Sequence, residues 1–87
     1  MAFFSVSYDL VAGKDYKRLT DRLSELDSVK VQLSYWLVAA DNTAQEVFNH
    51  LAAYVDSDDR LMVIEFTKRP SYTNALKGTR AWLDGHL

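Results

Sequence analysis

The N-terminal segment of the chain alternates between apolar and polar positions. Phe4, Val6, Tyr8 and Leu10 fall on one side of an extended chain, and mostly polar residues fall between them. A period of two over residues 3–10 predicts a β-strand with one buried face. The alanine and glycine that follow this segment are expected to end the strand.

Two later segments have helical spacing. From Asp15 to Leu26 the apolar residues recur at steps of three and four, and Asp15 is the expected N-cap. From Thr43 to Val55 the pattern is clearer, because Thr43 and Glu46 form the motif of a capping box. Each pattern predicts an amphipathic helix. The apolar positions are Tyr16, Leu19, Leu23 and Leu26 in the first helix and Ala44, Val47, Phe48, Leu51, Ala52 and Val55 in the second.

Two further segments are rich in β-branched and aromatic residues, which favour strands. Residues 29–39 lose their alternation around Ser34, where a bulge or tight bend is expected to divide them into two short strands. An acidic turn then precedes residues 60–67. Leu61 to Ile64 are apolar on both faces, which predicts a central rather than an edge strand. Residues 71–87 are expected to form a weakly helical extension, which Gly78 interrupts.

The order of these elements predicts an α+β fold, a ferredoxin-like β-α-β-β-α-β sandwich in one domain. The right-handed crossover rule places both helices on one face of a single antiparallel sheet. The first strand would meet the leucines of both helices there. The other face would carry polar residues, namely Ser5, Ser7, Asp9 and Gln32.

Length and composition limit the function classes. A chain of 87 residues buries only about two-thirds of its unfolded surface, so a second copy would help to stabilise it, and we expect a homodimer. The net charge of −2 provides no general attraction for nucleic acid. The chain has no cysteine, which excludes thiolate chemistry and fits a cytoplasmic location. We predict neither a signal peptide nor a membrane span.

Two short motifs resemble a known superfamily. The first strand ends in Tyr8-Asp9, and the second strand carries Gln32, Ser34 and Trp36 in a Gln-x-Ser-x-aromatic pattern. In their order around the helices, these motifs resemble the small CRISPR-associated adaptation proteins and the related virulence-associated protein D toxins. Each motif alone is weak, but their combined spacing makes the similarity more specific.

This resemblance covers residues 3–67 and implies a homodimer with a ferredoxin-like fold. It also implies that an aspartate near the two-fold axis holds Mg²⁺ or Mn²⁺, and that some members cleave RNA or DNA. Asp9 is the matching position, and is therefore the candidate catalytic and metal-binding residue. Two carboxylates brought together by symmetry repel each other, and a hard cation relieves that repulsion.

The chain also departs from the superfamily pattern. Leu33 stands where arginine can occur, and no strand that would swap onto a partner is evident after Pro70. Lys17 and Arg18 fall roughly where other members carry basic residues, but on a helix, where a solvated surface is favoured over a nucleic-acid contact. The candidate binding residues are Ser7, Gln32, Ser34, Lys17 and Arg18.

Each candidate also has a simpler interpretation. An aspartate at a strand end is commonly a turn or capping residue, and serines on an open sheet face, such as Ser7 and Ser34, are more often solvated than bound to phosphate. Tyr8 and Trp36 could stack on bases, but packing in the core or a dimer interface is favoured. The remaining titratable groups predict no metal site: His50 has no second ligand at suitable spacing, and Asp56, Asp58 and Asp59 predict a turn.

Two functions remain open. The first is a metal-dependent nuclease that uses Asp9 from each subunit. The second is a non-catalytic dimeric module that binds a protein or nucleic-acid partner. The acidic balance and the missing arginine favour the second slightly.

Overall fold

A computed structural model describes residues 1–11 and 16–87. The elements in chain order are β1 (Ala2–Asp9), α1 (Lys17–Ser24), β2 (Asp27–Gln32), β3 (Tyr35–Ala40), α2 (Ala44–Ala52), β4 (Arg60–Phe66) and α3 (Thr79–His86). The four strands form one antiparallel sheet, so the predicted α+β fold is confirmed. Among the described residues, none of the helices has the length and apolar character of a membrane-spanning segment. The cytoplasmic location stays a prediction.

The strands lie in the order β2-β3-β1-β4. Because β1 and β2 are both antiparallel to β3, they run parallel to each other with β3 between them. This split β-α-β arrangement is compatible with the predicted ferredoxin-like topology. One strand is misplaced in the prediction: β4 pairs with β1 alone among the described residues and forms an edge, although its apolar run indicated a central strand.

The main core lies on the face of the sheet that α1 and α2 cover, here called the first face. Leu19 and Leu23 of α1 and Leu51 of α2 are fully buried against the alternating apolar residues of β1. This confirms the predicted packing, including the placement of both helices on one face. Phe48 is an exception, because it is only half-buried and lies above the edge strand beside Leu61.

The helix ends differ in how they are capped. Thr43 accepts a hydrogen bond from the Glu46 amide at 3.1 Å, and the Glu46 carboxylate accepts one from the Thr43 amide at 2.9 Å, so the capping box is confirmed. The predicted cap of the first helix, Asp15, lies outside the described residues. Helix α1 begins after Tyr16, which provides no side-chain cap.

The bend predicted near Ser34 is confirmed as a two-residue turn between β2 and β3. The backbone carbonyl of Ser34 accepts a hydrogen bond from the Tyr8 amide at 3.1 Å, which ties the turn to β1. The irregular register lies slightly earlier, between Lys30 and Gln32 of β2.

The C-terminal extension covers part of the opposite face of the sheet, here called the second face. Gly78 does not interrupt a helix, as its position indicated, but precedes α3 with a φ of 100° that favours glycine. Leu83 of α3 is fully buried in a second cluster with Val31 and Leu37. This face was expected to be open and polar, and that expectation is wrong where α3 covers it.

Candidate functional site

The candidate site is built on the ends of β1 and β4. The register places Asp9 opposite Arg60 and Ser7 opposite Met62, and alternation along the strands puts all four side chains on the second face. Helix α3 covers the other end of this face through Phe3 and Phe66. The end of this face that carries Asp9 therefore lies outside the area that α3 contacts.

Asp9 lies at the exposed C-terminal end of β1. Its side chain is 65% exposed, and its Oδ2 atom accepts a hydrogen bond from the Arg60 guanidinium at 2.9 Å. An ion pair this exposed contributes little stability, because solvent screens both charges. Its effect is on reactivity, since a metal ion would have to compete with Arg60 for this oxygen.

An open groove of about 560 Å³ runs beside this ion pair. Its lining residues are Ser7, Tyr8, Asp9, Asp59, Arg60, Leu61 and Met62. Asp59 supplies the groove's other carboxylate, whose two oxygens accept backbone hydrogen bonds from Val11 at 2.9 Å and Asp56 at 2.8 Å. The bond from Val11 ties the turn before β4 to the end of β1, and the bond from Asp56 lies within the turn itself.

The acidic turn brings three carboxylates close together. Oxygen atoms of Asp56, Asp58 and Asp59 lie within 4.8 Å of one another. Exposed acidic groups commonly cluster without an ion, and two of Asp59's contacts are structural. The predicted turn is therefore the interpretation that the geometry supports.

Two of the other candidate binding residues share the end of the sheet with Asp9. Ser7 pairs with Tyr35, and Tyr35 pairs with Gln32, so one row across the second face contains Gln32, Tyr35, Ser7 and Met62. Ser34 lies in the adjoining turn, where its described hydrogen bond is made by its backbone carbonyl. This row contains polar side chains but no cation.

Lys17 and Arg18 do not join this row. They belong to α1, on the first face, where Lys17 pairs with Asp21 at 2.6 Å. The Arg18 guanidinium donates a hydrogen bond to the Ala53 carbonyl at 2.9 Å and lies 6.0 Å from the centre of the Tyr54 ring. Arg18 therefore links α1 to the end of α2.

Tyr8 and Trp36 belong to the core. Both are buried, and the Trp36 indole donates a hydrogen bond to the Tyr8 hydroxyl at 3.0 Å. Burial is the main cause that raises the pKa of Tyr8, because it disfavours the phenolate. Packing in the core is therefore the correct interpretation of these aromatics, and stacking on bases is wrong for this arrangement.

Sequence reasoning placed Asp9 at the end of a strand but missed its partner Arg60. No local signal reveals that pair, because 51 positions separate the two residues. A correct register between β1 and β4 would have found it. Neither a scan against family models nor a search of solved structures found a match.

Proposed function

We propose that this chain is a homodimeric binding module. The observation that supports a dimer is the apolar surface of β4 on the second face. Met62 and Ile64 are 59% and 52% exposed, and both lie beyond the area that α3 covers. Neighbouring exposed apolar side chains on a sheet commonly mark a protein interface.

The charges near this surface favour a protein over a nucleic acid. Arg60 is the cation beside the groove, and its guanidinium is paired with Asp9. Lys17 and Arg18 are engaged on the other face of the sheet. A nucleic acid needs several cations along its phosphates, and the net charge of −2 works against it.

Light scattering at micromolar concentration tests the dimer, which should have twice the chain mass of 9.9 kDa. Ile64→Lys places a charge in the proposed interface and should weaken association at least tenfold. Leu76→Lys is the matched control, because Leu76 is also exposed but lies beside β2, at the opposite edge. A monomeric wild type, or equal effects of both substitutions, would contradict the proposal.

Metal-dependent phosphodiester cleavage is the second candidate function. The specific observation is that Asp9 lies exposed in a groove that Met62 also lines, so the candidate carboxylate borders the proposed dimer surface. The carboxylate oxygens of Asp9 are of the type that Mg²⁺ or Mn²⁺ prefers, and such an ion could activate water toward phosphate.

Asp9→Asn tests this second function. It preserves the size of the side chain and removes the charge that would hold a cation. On the nuclease hypothesis, wild type cleaves RNA or DNA only with Mg²⁺ or Mn²⁺, and Asp9→Asn lowers the rate at least a hundredfold. Asp41→Asn is the control, because Asp41 is exposed and pairs with the N-terminal amine rather than with Arg60. Equal cleavage by wild type and Asp9→Asn would exclude Asp9 as the metal ligand.

A further inference from the structure

The two edges of the sheet are protected to different degrees. Along β2 the register is irregular between Lys30 and Gln32, and the Leu76 amide donates a hydrogen bond to the Val31 carbonyl at 2.9 Å. An irregular strand and a covering segment are both common ways to prevent an edge from pairing with another chain. The outer edge of β2 is therefore protected.

The outer edge of β4 has neither feature. Its pairing with β1 is regular from Arg60 to Phe66, and no other described segment pairs with it. From Leu61 to Ile64 the strand contains no charge and no proline. A regular, apolar edge strand is a template for another strand.

The hydrogen-bonding pattern identifies the backbone groups that face outward. Because the Tyr8 amide points to the β2–β3 turn, the even-numbered residues of β1 face β3 and the odd-numbered ones face β4. Ser7 is paired with Met62, so the even-numbered residues of β4 face inward. The amides and carbonyls of Leu61, Val63 and Glu65 therefore face away from the sheet.

We propose that a second copy of this chain pairs with β4 through its own β4, antiparallel and centred on Val63. This inference rests on the proposed homodimer and names the edge that forms it. The two four-stranded sheets then become one sheet of eight strands. About six new hydrogen bonds join the opposed residues, two for each pair.

The register follows from side-chain chemistry. Opposed residues must lie on the same face of the joined sheet, so the register can change only in steps of two residues. Each such step moves the centre of the symmetric pairing by one residue. When the pairing is centred on Val63, all seven residues of β4 are paired, and Met62 lies opposite Ile64 of the second copy. A centre on Met62 would oppose Asp59 and Glu65, and a centre on Ile64 would oppose Arg60 and Lys68. Each alternative brings like charges together.

This dimer keeps the two Asp9 side chains apart. Asp9 lies at the Arg60 end of β4, and that end is opposite Phe66 of the second copy. Strand spacing and rise then place the two Asp9 residues about 25 Å from each other. A metal ion shared by both carboxylates is incompatible with this arrangement, which distinguishes the binding module from the two-carboxylate nuclease.

Cysteine cross-linking tests the register, and the cysteine-free chain gives no background. In the proposed dimer the two Val63 Cα atoms lie about 5.5 Å apart, within disulfide range. Oxidised Val63→Cys should therefore form a covalent dimer with at least tenfold higher yield than Leu61→Cys or Glu65→Cys. An equimolar mixture of Leu61→Cys and Glu65→Cys should cross-link, because these two positions oppose each other.

The outcomes separate this inference from the proposed function. If light scattering shows a dimer but Val63→Cys does not cross-link, the homodimer stands and the β4 edge is excluded. Cross-linking of Val63→Cys with Glu65→Cys, without the Leu61 and Glu65 pair, would overturn the register. A monomer in light scattering, with no cross-linking of any variant, would overturn both proposals.

Discussion

The two faces of the sheet differ in how their covering helices are held. On the first face, α1 and α2 share one core with β1 and β3, so each helix also depends on the other. On the second face, α3 packs alone against a smaller cluster around Leu37 and leaves Ile64 exposed. The first face therefore carries the cooperative stability of the fold, whereas the second divides its area between a helix and an open surface.

The largest expected effect is on the first face. Leu51 of α2 is fully buried in the main core. Leu51→Ala should lower the free energy of unfolding by about 2–5 kcal/mol, through the lost apolar contact and the cavity it leaves. Denaturant melts provide the measurement. Phe48→Ala should cost less, because Phe48 is half-buried; a larger cost would mean that α2 is rotated from its described position.

The same substitution on the second face should cost less. Leu83 of α3 is also fully buried, but its buried neighbours are the smaller cluster of Val31 and Leu37. Leu83→Ala should cost about 2–3 kcal/mol, at the lower end of the range for such changes. Amide hydrogen exchange should show lost protection in α3 before the sheet. Uniform loss across the protein would contradict the independence of the second face.

The fold could be predicted where its signals are local. The alternation of β1 and the capping box of α2 each occupy a few neighbouring residues, so the sequence was sufficient for both. The edge position of β4 depends on pairing with β1, and an apolar run does not distinguish a central strand from an edge that binds another surface. Helix α3 was predicted only as a weakly helical segment for the same reason, because contacts such as that of Trp82 with Asp27 join distant segments.

The candidate site was predicted in part. The position of Asp9 at a strand end follows from the period of β1, and its neighbours Ser7 and Gln32 share its end of the sheet. The pairing with Arg60 depends on register, which the sequence alone does not specify. Lys17 and Arg18 were grouped with the site by resemblance, but α1 places them on the other face.

A smaller effect is expected at the start of α2. Thr43→Ala removes the hydroxyl that accepts a hydrogen bond from the Glu46 amide. It should lower the free energy of unfolding by about 1 kcal/mol, measured by denaturant melts. Thr43→Ser is the matched control and should cost much less, because serine retains the hydroxyl. Equal losses would show that the methyl group, and not the hydrogen bond, is responsible.

The smallest effect concerns a polar contact that holds α3 to β2. Asp27 accepts hydrogen bonds from the Trp82 indole at 3.1 Å and pairs with His86 Nε2 at 2.8 Å. The other ring nitrogen of His86 lies 2.7 Å from the Trp82 carbonyl. Both nitrogens therefore face acceptors, and only the protonated ring can donate to both.

This contact predicts that the docking of α3 depends on pH. The Asp27 carboxylate is the main cause that raises the pKa of His86 above 6.5, with the Trp82 carbonyl second. The hydrogen bond with His86 is the main cause that lowers the pKa of Asp27 below 3.8. A raised histidine pKa stabilises the folded state below pH 6.5, and that contribution is lost as pH rises through the folded pKa. The lowered aspartate pKa acts above pH 3.8 and is lost as pH falls through its folded value.

Protection of the α3 amides should therefore be greatest between about pH 4 and pH 6.5 and should fall toward pH 8. The protection of the α2 amides should stay constant, so that their exchange rates change with pH only as the intrinsic rate does. The other carboxylate of α3, Asp84, pairs with Arg69 at 2.7 Å and with Arg80 at 3.8 Å, whereas Asp27 is the carboxylate that pairs with His86. Asp27→Asn retains an oxygen for the Trp82 indole but removes the charge. It should abolish the fall in protection above pH 6.5, whereas an unchanged pH profile would show that another group controls the docking of α3.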